Sequence, residues 1–449
     1  MTSTSINPLN IPEIRSMVGQ YLNKSDLARC LRVCKSWHTS FVPLVWSTAT
    51  VWEVNYGAEG HNPPLEAFLR HSHYIKDLDI NIDAHQEYRL TPREYRPTPQ
   101  EYRLTPCPNL LNLKVLICQG FVSKGMDVVP VVIAQYDQLR RLSILNKSME
   151  PQPVIWKPVH YHNLSELDLQ LLEIEPEGTA AFWVLCARLV SLKIKVVTVA
   201  EMPARSITFD RLQHLKLLLK SQNPIERQLE WVTQCPNLTS LDWGYSGKNH
   251  LTSQLMKHFV PGTWPHLSEL CLSGIEFTDA QLSQVIGAIH DLKSLTVRTC
   301  KVGSCFLEAL RHHSHTLISL DTTYCEVLTR SLVPGILTSF PHLENLYAPR
   351  VMSEDIINSP PWVCEHSLKV LHICFLETPN QDAEYHQQVL QRISRLTKLK
   401  ELRLVRGPLS ARTLDFTLEN GLEQLATWKQ LEIFDVFSRT ARFSVRDVE

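Results

Sequence analysis

The sequence predicts an α/β solenoid: short parallel strands stacked with helical return segments, preceded by a small all-helical module. Three observations predict it. An apolar pattern recurs along most of the chain at nearly constant spacing. The N-terminal residues follow a different, helical spacing. The chain of 449 residues is longer than one hydrophobic core usually covers, while its 44% apolar and 20% charged residues are ordinary for a folded protein.

The N-terminal module comes first in chain order. Ile11-Pro12-Glu13-Ile14, then Met17, Val18, Tyr21 and Leu22, predicts a helix of 3 and 4 spacing, capped by Asn10 with proline in its first turn. Ser25 is placed to cap a second helix through Leu27, Leu31 and Val33. A third short element carries Trp37 and Phe41 and ends at Pro43. So small a core must lean on the repeats or on a partner.

The repeat itself has the form Leu-x-x-Leu-x-Leu. After an early, irregular copy at Ile75/Leu78/Ile80, it runs through Leu110/Leu113/Val115, Leu139/Leu142/Ile144, Leu164/Leu167/Leu169 and Leu189/Leu192/Ile194. It continues at Leu212/Leu215/Leu217, Leu238/Leu241/Trp243, Leu267/Leu270/Leu272 and Leu292/Leu295/Val297. Later copies lie at Leu317/Leu320, Leu343/Leu346, Leu368/Leu371/Ile373, Leu399/Leu402/Leu404 and Leu431/Phe434/Val436. From Leu139 to Leu368 the spacings are 25, 25, 23, 26, 29, 25, 25, 26 and 25 residues, within or at the edge of the leucine-rich-repeat period.

The second and third apolar residues of each copy are two apart, so both face the same side of a strand. A strand this short cannot bury itself; stacked on its neighbours it adds one slice to a continuous core. The expected result is a horseshoe, with a parallel sheet on the concave face and helices on the convex face. The clearest return helix is 279–289, with Leu282, Val285, Ile286 and Ile289 at helical spacing, Thr278 as cap and Asp279 in the first turn.

One segment interrupts the array. Gln86–Pro106 holds three tandem seven-residue units with proline in each, which predicts an inserted surface loop. Its Tyr and Arg content could suit nucleic acid, but Glu87, Glu94 and Glu101 offset the positive charge that phosphate needs.

Composition narrows the function classes. Lys plus Arg is 45 against 46 for Asp plus Glu, so no net field favours nucleic acid or an anionic membrane. The N-terminus lacks a secretory pattern, and no apolar run reaches membrane-spanning length. The twelve cysteines are scattered without a Cys-x-x-Cys, as for reduced core thiols in the cytoplasm or nucleus. His312, His313 and His315 are expected on an exposed turn without an acidic or Cys partner, and His71/His73 are no better placed for zinc. Neither a phosphate-binding glycine loop nor a Gly-x-Ser-x-Gly is present, so neither catalysis nor a cofactor is expected.

Four copies are led in by a residue-Pro-residue-Leu step: Cys107–Leu110, Cys235–Leu238, Trp264–Leu267 and Phe340–Leu343. Cys118, Cys300 and Cys325 each follow the first Leu of their copy by eight residues, and Phe277-Thr278-Asp279 opens a return helix. These features resemble the cysteine-containing class of leucine-rich repeats. The N-terminal order Ile11-Pro12-Glu13-Ile14, Tyr21-Leu22, Asp26-Leu27, Val33-Cys34-Lys35-Ser36-Trp37 and Trp46 resembles an F-box, although Ile11 replaces the usual Leu and Gly19-Gln20 a more apolar pair.

The resemblance implies a substrate-recognition subunit of an SCF-type ubiquitin ligase. The F-box would bind a Skp-type adaptor through Pro12, Ile14, Leu22, Leu27, Cys34 and Trp37, and the adaptor would bridge to cullin and RING subunits. The repeats would bind a target protein. Two alternatives stand beside it: an F-box-like scaffold or inhibitor that assembles no ligase, and a module that only caps the solenoid. The expected division is 1–50 module, 51–85 irregular first repeat, 86–106 inserted loop, 107–440 solenoid and 441–449 tail.

For the target, strand alternation turns Lys193, Lys195 and Lys216 outward, bordered by Glu166 and Asp168 on one side and by Asp242 and Glu269 on the other. This is either a basic patch for an acidic segment or an ordinary solvated surface. Arg298, Tyr347, His372 and Arg403 are the next candidates along the same face.

Overall fold

The computed structural model describes residues 7–52, 62–82, 106–117, 136–147, 151–154, 156, 162–219, 225–245, 256–376, 383–404 and 428–436. They form two compact units, Met1–Leu212 and Gln213–Glu449. The tandem units of Gln86–Pro106 lie outside the described residues, apart from Pro106.

The first unit opens with a 3-10 turn at Pro8–Asn10 and three helices, α1 (Pro12–Gly19), α2 (Lys24–Cys30) and α3 (Lys35–Val45). Three local expectations are corrected. Asn10 belongs to the 3-10 turn, and α1 starts on proline without a side-chain cap. Asn23, not Ser25, caps α2, because its Oδ1 accepts the N–H of Asp26 at 2.9 Å. Pro43 lies inside α3, since losing one N–H in the last turn does not stop Trp46 from donating to the Val42 carbonyl at 3.1 Å.

Leu27, Phe41 and Val42 form the buried centre of these helices. Arg15 is buried with them and makes three hydrogen bonds. It donates to the Leu9 carbonyl (3.1 Å), Ser36 Oγ (3.2 Å) and Ser40 Oγ (3.1 Å), tying the 3-10 turn and α1 to α3. Those acceptors offset the cost of removing a guanidinium from water.

Strand pairing begins directly after α3. The first unit contains β1 (Thr48–Trp52), β2 (Asp77–Ile82), β3 (Asn112–Ile117), β4 (Arg141–Asn146), β5 (Gln152–Val154), β6 (Glu166–Gln170), β7 (Leu172–Ile174) and β8 (Ser191–Val199). Its helices between strands are α4 (Leu65–His71) and α5 (Pro176–Cys186). β1, β2, β3, β4, β6 and β8 pair in parallel, in that order, while β5, β7 and the end of β8 make a second short ladder.

The second unit continues the same theme with β9 (His214–Leu219), β10 (Ser240–Tyr245), β11 (Glu269–Ser273), β12 (Ser294–Val297), β13 (Lys301–Val302), β14 (Ser319–Asp321), β15 (Glu326–Val327), β16 (Asn345–Met352), β17 (Val370–Leu376), β18 (Glu401–Leu404) and β19 (Ile433–Val436). Its helices are α6 (Ile225–Val232), α7 (Asp279–Gly287), α8 (Ser304–Arg311), α9 (Leu332–Ser339), α10 (Ser353–Ile357) and α11 (Ala383–Ile393). β13 pairs with β15 alone, and the remaining strands form one parallel ladder in chain order.

The repeat pattern explains both ladders. In successive copies the carbonyl after the first Leu accepts two N–H groups from the next copy: Leu111 from Arg140 (2.8 Å) and Arg141 (3.0 Å), Ile318 from Glu344 (2.8 Å) and Asn345 (3.0 Å). The second and third apolar positions, such as Leu241/Trp243 and Leu295/Val297, are buried. The residue-Pro-residue-Leu step is a turn in which the Leu N–H returns to the carbonyl three residues earlier, as for Leu110 to Cys107 (3.0 Å) and Leu343 to Phe340 (3.3 Å). Proline suits the second position of such a turn.

Each unit is therefore a stack of leucine-rich repeats, and the fold is an α/β solenoid built on parallel strands. Thr278 caps α7 as expected, within a reciprocal pair of hydrogen bonds with Gln281. On the histidine turn His312 and His315 are exposed as expected, and only His313 is corrected. His313 is buried, with Nε2 3.3 Å from the Ile286 carbonyl. It stands four residues before its Leu, as buried Cys364 stands before Leu368, so the end of the return segment points inward there.

Candidate functional site

Two surfaces hold the residues singled out from the sequence. On the N-terminal module, α1 turns Arg15 and Gly19 inward, four residues apart on one face. Its other face leaves Met17 63% and Val18 41% exposed; Tyr21, two residues past its end, is 89% exposed, and Val33 after α2 is 60% exposed. Of the expected adaptor residues, Pro12 and Cys34 are exposed, and Ile14, Leu22 and Trp37 are half-buried. Leu27 is buried within the module, so it holds the core rather than lining the surface.

Trp37 is turned toward that core, its ring edge-on to Phe41 with centroids 5.5 Å apart. Cys34 occupies the N-cap of α3 with its sulfur 3.1 Å from Ser36 Oγ. Hydrogen bonding from Ser36, then from the Trp37 N–H, draws its thiol below the ordinary value. The arginine–glycine pair was the available signal for the outward face. A 3 and 4 spacing of apolar residues alone does not say which side is buried.

The second surface is the outward face of the sheets. In the first unit Lys193 and Lys195 are exposed on β8, and Asp168 stands opposite Lys193 in register. Glu166 is held by Arg141 of the preceding strand through a two-bond fork, 2.7 and 3.0 Å. In the second unit Lys216 forms an ion pair with Asp242, its register partner on β10. Lys216 is thus neutralised locally, contrary to the expectation of like charges left unpaired. In-register parallel strands stack equivalent positions ~4.8 Å apart, so opposite charges at one position reach each other directly.

Arg298, Tyr347, His372 and Arg403 come together with two carboxylates and a further tyrosine. Asp321, Tyr347, His372 and Arg403 occupy one register row across β14, β16, β17 and β18. The Tyr347 and His372 rings meet edge to face at 4.4 Å. Nε2 of His372 lies 2.8 Å from Glu401 Oε1, and burial, only partly opposed by Glu401, holds the imidazole below its ordinary value. Arg403 Nε is 2.6 Å from the same oxygen, though its N–H is not aimed along that line. Arg298 approaches Asp321 at 3.7 Å and lies 5.9 Å from the centre of the exposed Tyr324 ring.

Six of the described cysteines are buried in the core, while Cys34 and Cys305 are exposed. The eleven among the described residues are free thiols. Buried Cys300 donates to the Ile275 carbonyl at 3.4 Å, and Cys235 is pushed up by burial. Among the described residues no group of three His, Cys, Asp or Glu is arranged to hold a metal ion. No described helix is long and apolar enough to cross a membrane.

No family model and no curated protein matches the chain. Among solved structures, an internalin from Listeria monocytogenes is similar at 14% sequence identity and a TM-score of 0.43, over 83% of this chain and 89% of that one.

Proposed function

We propose that the chain is the non-catalytic substrate-recognition subunit of an SCF-type ubiquitin ligase. The N-terminal helices dock on a Skp-type adaptor, and the repeats hold the target near the ubiquitin-carrying enzyme. Catalysis is then proximity supplied by two binding surfaces. One observation carries this reading: Met17, Val18, Tyr21 and Val33 stand exposed on a module whose order of residues resembles an F-box. Large apolar side chains left exposed on so small a module are what a protein partner covers.

The test is affinity capture of the full chain from cells, as wild type and as Met17→Asp/Tyr21→Asp. Wild type should recover a Skp-type adaptor and a cullin, and the double variant should lose both while retaining target proteins. Recovery of neither by wild type, under conditions that preserve other F-box complexes, leaves a repeat scaffold that assembles no ligase.

A further inference from the structure

The second unit carries a donor-rich patch whose chemistry names a partner, provided that the sheet face is where the target sits. Its carboxylates are already engaged. Asp321 Oδ1 accepts the Thr323 N–H (3.1 Å) and hydroxyl (2.8 Å), and Glu401 Oε1 is shared between His372 and Arg403.

The guanidiniums are in the opposite condition. A guanidinium has five N–H donors. Among the described residues Arg298 and Arg403 make no side-chain hydrogen bond: their contacts are ion pairs at 3.7 and 2.6 Å and the approach of Arg298 to the Tyr324 ring, and their side chains are 48% and 39% exposed. Arg350, on β16 beyond Tyr347, is exposed too.

What the two guanidiniums lack is hydrogen-bonded acceptors. We propose that the patch binds an extended acidic segment of the target, with carboxylates reaching Arg298 and Arg403 and an apolar or aromatic residue between them against Tyr347 and His372. Four strand steps separate β12 from β18 through β14, β16 and β17. At ~4.8 Å each these span ~19 Å, or five to six residues of extended chain at ~3.4 Å apiece. The close ion pair with Glu401 restrains the Arg403 stem and so lowers the entropy lost on binding. Planar guanidiniums also suit two-pronged recognition of carboxylate better than lysines do.

The experiment titrates the purified full chain into a labelled octapeptide, Ser-Glu-Ala-Tyr-Leu-Ala-Glu-Ser, and into its twins with Gln or phosphoserine in place of both Glu. The Glu peptide should bind at least about tenfold more tightly than the Gln twin, and more weakly as salt is raised. Arg298→Glu/Arg403→Glu should remove that preference, and Arg298→Gln/Arg403→Gln repeats the test should the first variant not fold. Lys193→Glu/Lys195→Glu, in the other unit, should leave it unchanged. No binding, equal binding of the Gln twin, binding of the phosphoserine twin alone, or an unaffected arginine variant overturns the proposal. Adaptor capture is read separately, so its loss bears on the ligase reading and not on this patch.

Discussion

The carboxylate of Asp279 accepts the backbone N–H of Phe306, 2.9 Å away, at the start of the next repeat's helix. It also takes the N–H groups of Gly303 (2.7 Å) and Cys305 (3.0 Å), so one acid in the first turn of α7 caps α8. Helix N-termini leave their first N–H groups unpaired, and a carboxylate there adds a favourable interaction with the helix dipole.

Asp279→Ala should therefore destabilise the second unit by about 1–3 kcal/mol, with three N–H groups losing their acceptor. Thermal unfolding checks it. Asp279→Asn, which keeps one acceptor oxygen, should lose less.

A strained backbone position recurs seven residues after the first Leu of a copy. Leu171 (φ 55°), Val196 (φ 56°) and Thr299 (φ 63°) all adopt the left-handed conformation there. β-branched side chains disfavour it by roughly 1–2 kcal/mol. Thr299 is exposed, and its hydroxyl reaches only its neighbour's carbonyl, so Thr299→Gly should raise the unfolding midpoint. A lower midpoint would show that the hydroxyl outweighs the strain.

Burial pushes the His313 imidazole below its ordinary value, and His372 is shifted the same way. The unfolded chain then binds protons more readily than the folded one, so stability rises with pH across the window below ~6.5. Lowering the pH through that window should lower the unfolding midpoint. His313→Gln should flatten the dependence, and an unchanged slope would exclude His313 as its source.

Close packing sets a fourth expectation. A Cβ at Gly178, in α5, would clash with the Trp156 backbone nitrogen and lie 2.9 Å from its carbonyl oxygen. Gly178→Ala should destabilise the first unit by ~1 kcal/mol or more, despite alanine's better helix propensity. Chemical denaturation of the two proteins decides it.

Most of the fold was legible because the repeat writes one slice of core into each copy. The spacing alone places Leu241/Trp243 and Leu270/Leu272 in neighbouring strands, and they stand in register. β1 was less legible: Trp46, Ala49 and Val51 depart from the leucine pattern and follow a helix directly. The cap at Asn23 was missed because Ser25 is an equally good capping residue by type. The charge pattern failed at Lys216 for another reason, since sequence shows sign and order but not which long side chains meet. Across the helical module the apolar set was visible, yet only packing separates Leu27 of α2, which is buried, from Tyr21 just past α1, which is exposed.

In the proposed reading, Met17, Val18, Tyr21 and Val33 are what a Skp-type adaptor covers. Titration of a fluorescently labelled, purified Skp-type adaptor with the purified full chain, followed by anisotropy, decides it. Wild type should bind saturably, Met17→Asp/Tyr21→Asp should lose at least about tenfold with its unfolding midpoint retained, and Arg298→Glu/Arg403→Glu should bind unchanged. No saturable binding by wild type, or equal affinity for the double variant, would overturn it.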